Sequence, residues 1–197
     1  MTRDKKDRQV RALQTGFEVR EEAEQLHITG YFSVFGGTYE IGPGMTESVD
    51  RHAFDNTLGG DIRALTNHDT SMVLGRTKAH TLELRVDEHG LWGDITINPN
   101  DQDAMNLYAR VERGDVSQCS FGCYITREET EFLENGDIEY IIKAINLLEI
   151  SVVTFPAYED TGVEARANHA LDLRRKQIEA WKDVQRHRLY KQPERTE

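Results

Sequence analysis

Cysteine is scarce: Cys119 and Cys123 are the only two in 197 residues. They fall four apart in one strand-like stretch, where ~3.3 Å per residue puts them about 13 Å apart on one face, too far to bridge each other. They also lack the paired spacing of a zinc site, and none of the seven histidines forms His-Glu-x-x-His or another tight ligand pattern. The expectation is therefore two buried thiols in a reducing compartment, with no metal and no cofactor. Long apolar runs are missing too. Nothing approaches the ~20 residues of a membrane span, and the first eight residues, Met-Thr-Arg-Asp-Lys-Lys-Asp-Arg, lack the apolar core of a secretory signal. A cytosolic protein, or one packaged from the cytosol, is expected, with no membrane partner.

Positive charge is short in the body of the chain. The formal net charge is −11, which argues against a nucleic-acid-binding surface. Residues 1–13 carry five Lys and Arg against two acids, and residues 165–197 carry nine against five, so residues 14–164 hold ten basic against 28 acidic groups. Basic ends on an acidic body suit contact with the body itself, an acidic partner or self-association. The hydrophobic content of 38% supports one domain with a proper core. We divide the chain into a basic N-terminal extension (1–15), one domain (16–164) and a basic amphipathic helical tail (165–197) with Leu171, Ile178, Trp181 and Val184 near one stripe.

Strand patterns dominate the middle. Residues 25–35 are β-rich and run into a glycine loop at Gly36-Gly37 and Gly42-Pro43-Gly44, which lacks the Gly-Lys-Ser/Thr ending of a phosphate cradle. Asp50 is placed to cap a short helix over residues 51–58, closed by Gly59-Gly60. Strands are expected around Ile62–Thr66, Met72–Arg76, Thr81–Val86 and Leu91–Ile97. A helix opened by residues 98–103 and closed by Gly114 presents Ala104, Leu107, Tyr108 and Val111 on one face. Asn135-Gly136 signals a tight primed hairpin turn. The run from Ala144 to Pro156 is apolar on both alternating sets, as in a strand covered on both faces.

Three residues stand out for chemistry. In the strand from Val116, Cys119, Phe121, Cys123 and Ile125 alternate onto a core face, whereas Ser120, Gly122 and Tyr124 share the other. Ser120 then points away from the oily side, beside a glycine that leaves room for a substrate backbone. A hydroxyl so held needs a base and an orienter to become a nucleophile. His68, at the polar strand end Asn67-His68-Asp69, is the candidate base. Glu149 is the lone carboxylate in its apolar run, where burial costs several kcal/mol unless it is ion-paired, hydrogen-bonded or near solvent. His68 would resolve that cost; Arg110, Arg127 or Lys143 would do so equally well. On residues alone, Ser120 also fits an ordinary serine on a half-covered strand face and His68 an exposed loop histidine.

Order and spacing together carry a resemblance. The segments are Gly30-Tyr-Phe-Ser-Val-Phe35, the Ala53-Phe54 region, Leu65-Thr-Asn-His-Asp69 followed by Leu74-Gly-Arg-Thr77, and Gly90-Leu-Trp92. Arg113-Gly-Asp-Val-Ser-Gln-Cys-Ser-Phe-Gly122 and Leu148-Glu-Ile-Ser-Val-Val-Thr-Phe-Pro-Ala157 complete the set. From about Ile28 to Ala167 the chain resembles the tailed-phage prohead maturation proteases, serine peptidases related to the herpesvirus assemblins. The resemblance implies a mainly β fold with flanking helices (α+β), built on a small closed β-barrel of the herpesvirus-protease-like type. It implies an endopeptidase that clips the phage major capsid protein, its scaffold segment and often itself, inside the immature capsid in the host cytoplasm. By position Ser120 would be the nucleophile, His68 the general base and Glu149 the residue that orients the imidazole. Cys119 and Cys123 depart from the larger aliphatic or Met and the aromatic side chains usual beside the serine, on the inward face. Two other classes remain: a non-catalytic capsid-assembly module, and a hydrolase using Cys119, whose expected inward facing counts against it.

Overall fold

Residues 8–13, 16–22, 25–155, 175–176, 178–184 and 186 are described in the computed structural model. Among the described residues up to 155, eleven strands and the helix α1 follow in chain order: β1 (Gln9–Leu13), β2 (Phe17–Glu22), β3 (Gln25–Val34), β4 (Thr38–Gly42), β5 (Met45–Val49), β6 (Arg63–Thr66), β7 (Asp69–Arg76), β8 (Leu82–Val86), β9 (Gly90–Ile97), α1 (Gln102–Arg113), β10 (Gln118–Phe132) and β11 (Ile138–Val153). They make a seven-stranded sheet and a four-stranded sheet ordered β2-β3-β9-β8.

The large sheet is organised by one long ribbon. β10 and β11 pair antiparallel over almost their whole length. The far edge of β11 is shared, because its start pairs with β5 and its end with β6, both parallel. On the open edge of β10 lies β1, antiparallel, with Ala12 opposite Ser120 and Val10 opposite Gly122. Residues 9–13, read from sequence as part of an extension, are thus a strand of the sheet.

The expected closed barrel is not what forms. Among the described residues no strand pairing joins the two sheets, and each keeps free ends to its strand order. The edges that closure would have to join, β1, β4 and β7 of the large sheet and β2 and β8 of the small one, have no strand pairing between them among the described residues. Side-chain packing holds the sheets together instead. Ile28, Phe32, Leu91, Ile95, Phe54, Phe121 and Ile150 share one buried cluster, each such side chain stabilising the fold by ~1.5–3 kcal/mol relative to exposure. The rings of Phe54 and Phe121 meet edge to face at 5.7 Å, which fixes the inner face of β10 just beside Ser120.

α1 forms where its sequence signals stand. Asp101 caps it by accepting from the backbone N–H groups of Asp103 and Ala104, Gly114 ends it in the left-handed region at φ 88°, and the buried face is Ala104, Leu107, Tyr108 and Val111. Residues 51–59 form consecutive turns rather than the expected helix. Their backbone bonds, such as Ala53 to Asp50 and Thr57 to Phe54, span three residues, not four. The β10–β11 connection also differs. Only Gly136 has positive φ (87°) there, and its N–H donates to Leu133 O, so a wider turn with a left-handed glycine replaces the two-residue primed turn.

Residues 175–176, 178–184 and 186 are helical, with Ile178, Trp181 and Val184 exposed. The rest of the expected tail, including Leu171, lies outside the described residues, as does Pro156.

Candidate functional site

The site grows from the parallel pairing of β6 with β11. That register sets Arg63 opposite Glu149 and Thr66 opposite Val152, so the tip of the β6–β7 hairpin arrives beside Ser151. The tip is a two-residue turn, Asn67 and His68, with φ of 50° and 61°. Asn tolerates this conformation well, and two positive φ values match the twist of a tight hairpin. Three bonds pin the turn to β11: Asn67 N–H donates to Val152 O at 3.0 Å, Thr154 N–H donates to Asn67 Oδ1 at 2.9 Å, and His68 N–H donates to Ser151 Oγ at 3.2 Å.

So held, His68 places Nδ1 2.7 Å from Glu149 Oε1. Glu149 is 3% exposed and its burial is compensated on every side. Ser151 Oγ donates to Oε2 at 2.7 Å, and the Arg8 guanidinium donates to Oε1 at 2.5 Å. Burial alone would raise the Glu149 carboxyl above its ordinary value, but the His68 hydrogen bond and charge, with Ser151 and Arg8, outweigh it and hold the group lower. A carboxylate on Nδ1 fixes the tautomer in which Nε2 is the proton acceptor. That Nε2 is buried with no hydrogen-bond partner among the described residues.

Ser120 lies on the same face of the sheet, opposite Ser151 on β11, and Gly122 lies opposite Glu149. A Cβ at Gly122 would overlap Glu149 Oε1 and sit 2.9 Å from Arg8 Nε, so only glycine leaves room for the carboxylate and its arginine. The expected alternation holds: Cys119, Phe121 and Cys123 are core and Ile125 packs against it. Cys119 donates to Tyr31 O and is turned away from His68 and Glu149. The two cysteines are buried and in no disulfide.

The outer face is not half-open as expected. Ser120 is fully buried, and its hydroxyl donates to Arg11 O at 2.6 Å rather than to His68. Strand β1 alongside β10 accounts for the difference. Of the three residues singled out from sequence, His68 and Glu149 therefore touch directly, while Ser120 shares their face with its hydroxyl engaged elsewhere. Arg110, Arg127 and Lys143, the other candidate partners of Glu149, do not bind it; Lys143 pairs with Asp50. Arg8 and Ser151 were not singled out. Ser151 had a signal, standing two residues from Glu149 on the same strand face, whereas nothing local marks Arg8, which is 141 residues away.

A second histidine–acid pair exists in the small sheet, where His27 Nδ1 is 2.7 Å from Asp94 Oδ1 and Arg20 shares the carboxylate. The β3–β9 register sets Thr29 opposite Asp94 there, and Thr29 directs its hydroxyl to Glu18 O.

Residues 15–175 match the family described as Caudovirus prohead serine protease. The chain is 30% identical over 156 residues to the prohead protease of Enterobacteria phage HK97, a match covering 77% of this chain but only 65% of that protein's length. Among solved structures it is similar to the bacteriophage T4 capsid assembly protease, with a TM-score of 0.49 and 9% identity, over 74% of this chain and 96% of the other.

Proposed function

The chain belongs to the Caudovirus prohead serine protease family, and on that premise we propose that it is a serine endopeptidase acting through Ser120, His68 and Glu149 on capsid and scaffold segments inside an immature phage capsid. The observation that carries the reading is the part-buried contact of His68 Nδ1 with Glu149 Oε1, which leaves Nε2 without a described partner on the sheet face that Ser120 shares.

In this mechanism His68 Nε2 takes the proton of Ser120 as Oγ bonds to the peptide carbonyl carbon. The carbon–nitrogen bond then breaks, and the same proton passes to the leaving amine. A water molecule repeats the sequence on the acyl enzyme, giving up a proton to His68 and releasing the acid with Ser120 restored. Glu149 stays ionised throughout, holding the ring and stabilising its charged form. Arg8 and Ser151 keep that carboxylate oriented and satisfied, the role of outer hydrogen bonds around any charged group in a buried site.

The closure of Ser120 favours one other reading, a non-catalytic assembly module that keeps the fold. Intact-mass analysis of the wild type beside Ser120→Ala, each concentrated and then mixed with the cognate coat protein, separates the two. Truncation of coat or self by the wild type alone is the expected result. No truncation in either, with coat binding kept, selects the assembly module.

A further inference from the structure

The element that closes Ser120 is itself seated like a bound peptide. Among the described residues β1 is an edge strand, paired antiparallel to β10, and adding a strand to an open edge is a standard way for a protein to hold an extended peptide. Its Arg11 carbonyl is the one that receives the Ser120 hydroxyl. The side chain of the same residue runs to Glu47 on β5, whose carboxylate is 1% exposed. Arg11 Nε and Nη2 donate to the two carboxylate oxygens of Glu47, the second at 3.0 Å, a fork-to-fork geometry that discriminates for a planar cation. Burial works against the Arg11 charge, yet Glu47 more than offsets it and keeps the guanidinium firmly protonated.

Two facts make β1 an occupant rather than a fixture. Ser120 is fully buried, so no substrate carbonyl reaches it until something moves. β1 is the element whose main chain engages that hydroxyl, and it is held by its pairing with β10, its arginine contacts and the buried Val10. We propose that Glu47 is a specificity-determining residue: it receives the basic side chain of a substrate strand laid on the β10 edge, at the residue whose carbonyl faces Ser120, and Arg11 fills that place in cis until displaced. The substrate class is an extended segment with Arg or Lys on the acyl side of the cleaved bond. This rests on Ser120 being the nucleophile.

The test uses the full chain carrying Arg11→Gln, which empties the Glu47 contact while leaving the catalytic groups intact. Peptides of the sequence Arg-Gln-Val-X-Ala-Leu, with X as Arg, Lys, Gln or Glu, are offered as substrates. Expected kcat/KM for Arg and Lys is at least about tenfold above Gln, the scale of a charge-assisted hydrogen-bonded pair in a buried setting, and Glu47→Gln in the same chain removes the preference. Because Glu47→Gln risks misfolding, a second measurement avoids it. Hydrogen exchange of the amides of residues 9–13 is followed in Arg11→Gln/Ser120→Ala, and the X = Arg peptide is expected to speed it as it displaces β1, while X = Gln does not. Cleavage without preference for a basic residue, or displacement equal for both peptides or absent for both, overturns the role of Glu47 and leaves the serine peptidase standing. Displacement by the Arg peptide with no cleavage in any chain overturns the serine peptidase and leaves the strand-binding site.

Discussion

His68 and Glu149 lie 81 residues apart in sequence and 2.7 Å apart in space, because β6 runs parallel to the end of β11 and turns at Asn67-His68 directly above the Glu149–Ser151 face. The contact is made by one of the tightest hairpin turns available to a chain. It leaves the ring little freedom, and the carboxylate reads that ring on one nitrogen only.

Glu149→Gln keeps the size of the side chain but offers His68 either an amide oxygen or an amide N–H, and no charge. The expected outcome is a fall in kcat of roughly 10³- to 10⁴-fold with KM nearly unchanged, measured on a peptide substrate. A loss confined to KM would remove Glu149 from the orienting role.

Ser120→Ala removes one hydroxyl and its bond to Arg11 O, a net stabilisation of ~1 kcal/mol. At roughly 2–4 °C per kcal/mol for a chain of this size, the melting temperature should drop by only a few degrees while cleavage is abolished. Retained cleavage would exclude Ser120 as the nucleophile.

Acid should destabilise the protein through Glu149. Its folded carboxyl is held below the ordinary 4.5, so the unfolded chain binds the proton first, and the stability this group supplies is present above 4.5 and disappears as pH falls through the lower folded value. Thermal melts of the wild type from pH 7 downward should therefore show a steeper acid limb than Glu149→Gln. Parallel limbs would mean that the carboxyl titrates alike folded and unfolded.

Gly122→Ala drives a methyl group into Glu149 Oε1 and toward Arg8. Overpacking of this kind costs ~1–3 kcal/mol, and the carboxylate must swing off His68 to relieve it. We expect a lower melting temperature and a loss of turnover of about tenfold or more. Wild-type turnover would show that the carboxylate tolerates the shift.

Much of this was legible from short-range pattern. Alternation along Cys119–Ile125 separates the core face from the Ser120 face because strand side chains alternate with a period of two. α1 was readable at both ends, since Asp101 and Gly114 satisfy backbone groups within a turn of themselves. The lone charge in the run around Glu149 called for a partner or solvent, and the polar strand end at His68 was one of several candidates. The reading failed where the deciding interaction was distant or the geometry subtle. Residues 51–59 have a capping residue and a closing glycine yet make three-residue turns, and Asn135-Gly136 forms a wider turn than its dipeptide suggests.

The sequence by itself determined the local periods, the caps, the inward face of β10 and the need for a partner or solvent at Glu149, all consequences of bonds and side-chain directions within a few residues. Only the tertiary structure decided that the two sheets stay open, that Arg8 joins His68 at Glu149, and that β1 covers Ser120 with Arg11 on Glu47. Those outcomes depend on which strands pair along the edges of β10 and β11 and which strands end each sheet. Edge pairing is made by backbone groups common to every residue, so nothing in the side-chain pattern announces it.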